Sequence, residues 1–368
     1  MYLKPSRRKK IKTRMMVLII VAVAVVCALV LLYALGLLPR ISLFGDPLTE
    51  LNSALPDSVV GNENGILYNQ NDTLYLLDES GTETWSLSLE LQDATTVASP
   101  QLICNYAGKS LQVMGYSKEQ FFSTAIDVEI LDAAAGNNTV AVLSTNVTEQ
   151  GGTQYYISLF NAAGEQTGNT RFSYEVVDFG FHGDSDMLWV LELDTSGVVP
   201  VSYITTYMAD GSMTNSIPVN SQIVEDVFVT DSAIFAGGTN ALTSYTYFGE
   251  QQAEQGIYGW KNAGASLVSQ TVKLAYIPRT TINDIDTVKL YSGDLSYIHI
   301  RLPWNVFSVA VTQNRMYAFS DSTVYIYTAT GDLEKQVELD TTITKAKQIS
   351  NTCVILWDQQ KSYIMQLT

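Results

Sequence analysis

Two histidines and three cysteines are all that the 368 residues offer for imidazole or thiolate chemistry. The densest group of potential ligands is His182-Gly183-Asp184-Ser185-Asp186, an imidazole and two carboxylates within five residues. A divalent cation needs such donors folded onto one point. The same five residues also make an ordinary polar hairpin turn, because Gly and Asp suit turns for backbone reasons. No Asp-x-Asp-x-Asp-Gly calcium loop occurs, so neither a metal nor a cofactor is implied. A hydrolytic triad lacks its parts, since there is no Gly-x-Ser-x-Gly and few candidates for the base. Cys104 and Cys353 sit in apolar runs and read as packed thiols, and His299 reads as a strand residue. What remains is carboxylate chemistry. With 37 acidic residues, a pair facing one cleft could cleave polysaccharide, and this is the enzyme alternative.

Charge excludes one class of partner and locates another. The formal net charge of −16 opposes a nucleic-acid backbone. Yet seven of the 21 basic residues crowd into positions 1–14, and no acid precedes Asp46. Next comes Met15–Leu38, 24 residues without a charge. As a helix this run reaches ~36 Å, enough to cross a ~30 Å hydrocarbon core. It is too long for a signal-peptide core and lacks an Ala-x-Ala cleavage site. Cys27 is one more small apolar residue inside it. The expectation is a single-pass anchor in the plasma membrane, basic end in the cytoplasm, the rest outside.

The outer part must be built from strands. Beyond residue 58, runs of four to eight residues rich in Val, Ile, Tyr, Phe and Thr alternate with Gly, Asn, Asp and Ser. Gly65–Asn69, Thr139–Ser144, Asp186–Leu191 and Arg315–Ser320 are examples. Four octapeptides superpose: Leu74–Gly81, Ile157–Gly164, Ile204–Gly211 and Val324–Gly331. Each is a strand running into a tight turn whose Gly can take φ > 0. Their glycines are 83, 47 and 120 residues apart, close to two, one and three steps of a single period. A repeat of ~40–45 residues with four strands is that of a β-propeller blade. Weaker copies lie at Leu111–Tyr116, Leu242–Tyr247 and Val288–Tyr291, and Ser362–Leu367 gives an eighth. The expectation is an all-β ectodomain of eight blades, with seven as the alternative and two stacked sandwiches as the competing architecture. The last blade holds only three strands, and its fourth is expected from Ile41–Phe44 or Leu48–Leu55, which closes the ring. The domain reading is a tail 1–14, a span 15–38, a linker with closing strand 39–57, and a propeller 58–368.

Leu77-Asp78-Glu79-Ser80-Gly81-Thr82-Glu83-Thr84-Trp85 resembles the repeat of PQQ-type propellers, where Leu-Asp-x-x-Thr-Gly is followed four residues later by Trp. It departs in having Ser80 for Thr, and the other copies lack the Trp. The layout of basic tail, one span and propeller also resembles an uncharacterised family of membrane-anchored propellers, with PQQ-like or WD-type repeats, from clostridia-like Gram-positive bacteria. The resemblance implies a fold and an envelope location, and brings no catalytic residue.

Three loops are expected to join second to third strands beside the channel mouth: Thr145–Thr153, Asp194–Pro200 and Phe248–Gly256. They offer Glu149, Gln150, Asp194, Glu250 and Gln251 to a cationic partner or to a glycan. The functional expectation is a non-catalytic propeller that binds or scaffolds cell-envelope protein or glycan.

Overall fold

Short runs that are apolar on alternate residues and end in Gly, Asn or Asp cannot close a core singly, so they pair. The computed structural model describes residues 48–149, 151–182, 185–268, 271–281 and 284–367. The tail 1–14, the run Met15–Leu38, Ile41–Phe44, Gln150 and Asp184 lie outside the described residues. Among the described residues no helix is long and apolar enough to cross a membrane, and there are thirty-two strands.

These form eight antiparallel four-stranded sheets. Blade 1 takes residues 60–88, blade 2 95–125, blade 3 130–172, and blade 4 175–219. Blade 5 takes 224–256, blade 6 260–301 and blade 7 308–338. Blade 8 takes 345–366 and borrows Leu48–Glu50 as its outermost strand, with Thr49 opposite Ile364. In every complete blade the strands pair in chain order. First strands of neighbouring blades approach one another at the centre, while fourth strands such as Glu83–Ser88 and Gln251–Gly256 are exposed on alternate residues. This is an eight-bladed propeller, not two face-packed layers.

The packing shows the ring directly. Eight hydrophobic clusters fill the eight seams between consecutive blades. The seam between blades 8 and 1 unites Leu51, Leu55 and Val59 with Ile66, Ile355, Trp357 and Ile364. Cys104 belongs to the seam of blades 2 and 3, and Cys353 to that of blades 8 and 1. Both are free thiols whose pKa burial pushes up to about 12, so neither is nucleophilic near neutral pH.

The superposed octapeptides are the third strands of blades 1, 3, 4 and 7, which accounts for their spacing. One turn joins third to fourth strand in all seven complete blades. In blade 7 the Thr328 N–H donates to the Asp332 carbonyl and the Gly331 N–H to the Thr328 carbonyl. The residue two places before the fourth strand takes positive φ each time: Gly81, Lys118, Gly164, Gly211, Gly249, Leu295 and Gly331.

Candidate functional site

The first strands of blades 3, 4 and 5 share an irregularity. Each is bulged against its second strand, between Ile130 and Asp132, Val176 and Asp178, and Val224 and Asp226. A bulge sets two residues against one and turns both off the regular pleat. Leu131 and Val177 are therefore 51% and 49% exposed despite their central position. The next residue is an aspartate in all three blades, so Asp132, Asp178 and Asp226 form an arc on the channel wall. The Ala133 and Phe179 N–H groups donate to Asp132 and Asp178, each at 2.8 Å, fixing the two carboxylates. The Tyr106 hydroxyl donates to Asp132 at 3.0 Å.

Asp178 and Asp226 each feel the charge of the preceding carboxylate. Burial raises the pKa of Asp178, and the charge of Asp132 adds to it. Asp226 is pushed up to about 6, first by burial and then by Glu225 and Asp178, against the pull of Arg279. Arg279, which follows the second strand of blade 6, pairs with Glu225. Beside Asp226 lies the Tyr276 side chain, 1% exposed, its hydroxyl without a hydrogen-bond partner among the described residues. Only a glycine fits under it: a Cβ on Gly237 would run into that hydroxyl and lie 3.5 Å from Asp226. At the equivalent bulge in blade 6 stands Gly264, and the arc ends.

The opposite side of the ring carries two lysines. Four steps round an eight-membered ring from blade 4 is blade 8, whose first strand carries Lys345 and Lys347. Lys345 pairs with Asp57 at 2.5 Å, and Lys347 donates to the Asp57 and Val59 carbonyls at 2.9 Å. Between them, along blades 6 to 8, small side chains such as Ala263, Gly264 and Ala346 leave a cavity of about 530 Å³. The ring thus carries three aspartates on one side and two lysines on the other, Lys345 already neutralised by Asp57, with room between.

A second recess opens at the seam of blades 3 and 4. It encloses about 280 Å³ and is lined by Arg171, Tyr174, Glu192, Tyr203, Thr205 and Tyr207 among others. Tyr174 and Tyr203 stack with centroids 5.3 Å apart and planes 5° off parallel. Glu192 is 8% exposed, and burial raises its pKa against hydrogen bonds from the Tyr174 N–H and the Thr205 hydroxyl. It is the one carboxylate among the described residues lining this recess.

The residues singled out in the sequence are scattered by this geometry. His182 lies on the first-to-second-strand turn of blade 4 and meets Asp231 of blade 5 at 3.2 Å. Asp186 turns the other way and accepts the Asn138 and Thr139 N–H groups of blade 3 at 2.7 and 3.1 Å. They are not brought together, because each caps a different neighbouring blade. Among the described residues no group of three or more His, Cys, Asp or Glu could hold a metal. Glu149 and Asp194 do stand where second strands lead into third strands. Asp194 is held below the usual carboxylate range by the Ser196 hydroxyl and N–H, with help from the Tyr174 hydroxyl, which ties it to the recess rim. The expectation for Phe248–Gly256 is corrected. Ala241–Tyr245 is already the third strand of blade 5, so Glu250 belongs to the third-to-fourth-strand turn and Gln251 opens the outermost strand. Both lie at the opposite rim from Glu149 and Asp194.

The aspartate arc went unread. Its signal was there, as acids 46 and 48 residues apart at 132, 178 and 226, close to the 47-residue step from Gly164 to Gly211.

The same fold occurs in solved structures at low identity. BamB from Moraxella catarrhalis superposes with a TM-score of 0.54 at 11% identity, covering 87% of this chain and 100% of that one. Sqt1 from Saccharomyces cerevisiae gives 0.56 at 12%, covering 88% and 97%. The WD40 domain of SCAP from fission yeast gives 0.59 at 8%, covering 86% and 96%. These likenesses concern the fold alone. No curated protein matches the sequence. Residues 51–367 match the model of a family described as a family of unknown function, DUF5711.

Proposed function

The chain belongs to the DUF5711 family, and from that starting point we propose a non-catalytic binding propeller that grips a cationic segment of a cell-envelope partner at the mouth of its channel. The observation that carries this reading is the aspartate arc. Three consecutive blades place a carboxylate at the same bulge, and two of the three are held at a raised pKa. Like charges crowded in a concave wall destabilise one another until a cation arrives, and they focus field toward the channel. Leu131 and Val177 beside them supply apolar contact for the stem of a Lys or Arg. The propeller is presented outside the cell by Met15–Leu38, with the basic tail 1–14 on the cytoplasmic side.

The test uses the full-length chain and a fluorescent oligolysine probe. Binding is expected to weaken at least tenfold in the triple variant D132N/D178N/D226N and to fall with added salt. Asp321→Asn, in a turn of blade 7, is expected to change nothing. Equal affinity in the triple variant would refute the reading. The anchor is checked separately: full-length chain in the alkali-resistant membrane pellet, a chain without residues 1–46 in the supernatant.

A second reading rests on the Asp226 pKa of about 6, which leaves that acid about half protonated at mildly acidic pH, with the charge of Asp178 acting on it. Such a pair is the kit of a polysaccharide hydrolase. Release of reducing ends from soluble envelope polysaccharide, abolished by Asp226→Asn, would move the assignment to this class.

A further inference from the structure

We infer that the recess between blades 3 and 4 is a binding site for a single neutral pyranose unit of a glycan, independent of the channel mouth. A recess of about 280 Å³ falls just below the range that engulfs drug-sized ligands, so it admits about one ring. Its lining selects among rings by elimination. Glu192 is nine-tenths buried and carries a charge that repels anions. Arg171 lines the same recess and repels cations. The hydroxyls of Thr205 and Ser216 already bond each other at 3.0 Å, so what a purely apolar guest would leave facing carbon is the Glu192 carboxylate and the Arg171 guanidinium. A neutral polyol satisfies all of them, because sugar hydroxyls donate to Glu192 and accept from Arg171. Its C–H face needs a flat apolar wall, and the lining holds three tyrosines, Tyr174 and Tyr203 among them stacked nearly parallel. The supporting shell is already fixed: Glu192 takes hydrogen bonds from the Tyr174 N–H and the Thr205 hydroxyl, and Asp194 from Tyr174 and Ser196. The groups that would orient a sugar are therefore held in place before it binds.

Saturation-transfer NMR on the full-length chain, in a detergent without sugar, tests this with methyl glucoside, methyl galactoside and N-acetylglucosamine as probes. Transfer to the ring protons of at least one probe is expected, with at least a tenfold loss of affinity in Glu192→Gln and in Tyr203→Ala. Glu192→Gln preserves volume and an acceptor toward Thr205, so it removes charge without emptying the recess, and circular dichroism confirms folding. Tyr258→Ala, at an 84% exposed position in the connection between blades 5 and 6, is expected to bind as the parent does. Absence of transfer from all three probes overturns the inference, as does equal binding in both recess variants. D132N/D178N/D226N is expected to leave sugar binding intact, which separates this site from the channel mouth.

Discussion

Asp226 shows how a residue proposed for binding costs stability. Its folded pKa of about 6 stands above the ~3.9 of an unfolded aspartate, and burial is the first cause. A raised acid pKa means the folded state holds the proton more tightly than the unfolded chain between those two values. Stability therefore falls as pH rises from ~4 to ~6, and the deficit stays constant above. Asp226→Asn removes a charge that the fold disfavours. The variant is expected to match the parent near pH 4 and exceed it by about 2 kcal/mol near pH 8. Denaturant unfolding at the two pH values measures this, and a variant gaining nothing at pH 8 contradicts it. The same substitution is expected to weaken oligolysine binding, so stability and function separate at one atom. Little of this was legible beforehand. An Asp inside a run of strand residues reads as turn punctuation, and only the bulges at Asp132, Asp178 and Asp226 turn these side chains onto the channel wall. His182 and Asp186 misled in the opposite sense, for adjacency in sequence carried them to different blades.

The turn between third and fourth strands is the element that made the fold readable. It demands one residue in the left-handed region, and a glycine there marks five of the seven turns. The turns of blades 2 and 6 put Lys118 (φ 65) and Leu295 (φ 62) in that slot, so their copies looked weak although the hydrogen bonding is the same. Reading Phe248–Gly256 as a second-to-third-strand loop conflicts with the third-strand copy Leu242–Tyr247, whose turn Gly249 (φ 84) closes in the ordinary way. Gly331→Ala forces a Cβ to φ 90 and within 3.1 Å of Ile298, for an expected loss of about 1–2 kcal/mol. Lys118→Gly relieves that strain and adds unfolded-state entropy, leaving it up to about 1 kcal/mol more stable than the parent. Leu295→Gly is expected to go the other way by about 2 kcal/mol, because Leu295 is buried in the seam of blades 5 and 6. Thermal unfolding of the three variants checks the order of stability, Lys118→Gly above parent, the other two below.

At the scale of the molecule, the question is what keeps a ring of weakly connected sheets from opening. Each blade buries its faces only against its neighbours, so one unfilled seam exposes two faces and an unpaired strand edge. Three-strand blade 8 made a returning segment necessary, and the expected Leu48–Leu55 supplies it through Leu48-Thr49-Glu50, a run too short to fix its register without the partner. That partner is well prepared. The Leu51 N–H donates to the Ser362 carbonyl at 2.9 Å, and the Leu55 N–H to the Ser362 hydroxyl at 2.8 Å. The Trp357 indole N–H donates to the Leu55 carbonyl at 2.8 Å. Glu50 pairs with Lys361, and Leu51 and Leu55 are buried in the seam. Two buried leucines at about 1.5–3 kcal/mol each and a few hydrogen bonds near 1 kcal/mol make the closure worth several kcal/mol. A chain starting at Pro47 keeps all of these groups, whereas one starting at Ser58 loses them. The first is expected to melt within a degree or two of the parent. The second is expected to melt on the order of 10 °C lower and to associate through the bared edge of the strand Ser362–Gln366. Calorimetry and size-exclusion chromatography on the two truncations decide it: equal melting temperatures would mean that the ring is held at its other seven seams and that the returning strand is only a tether.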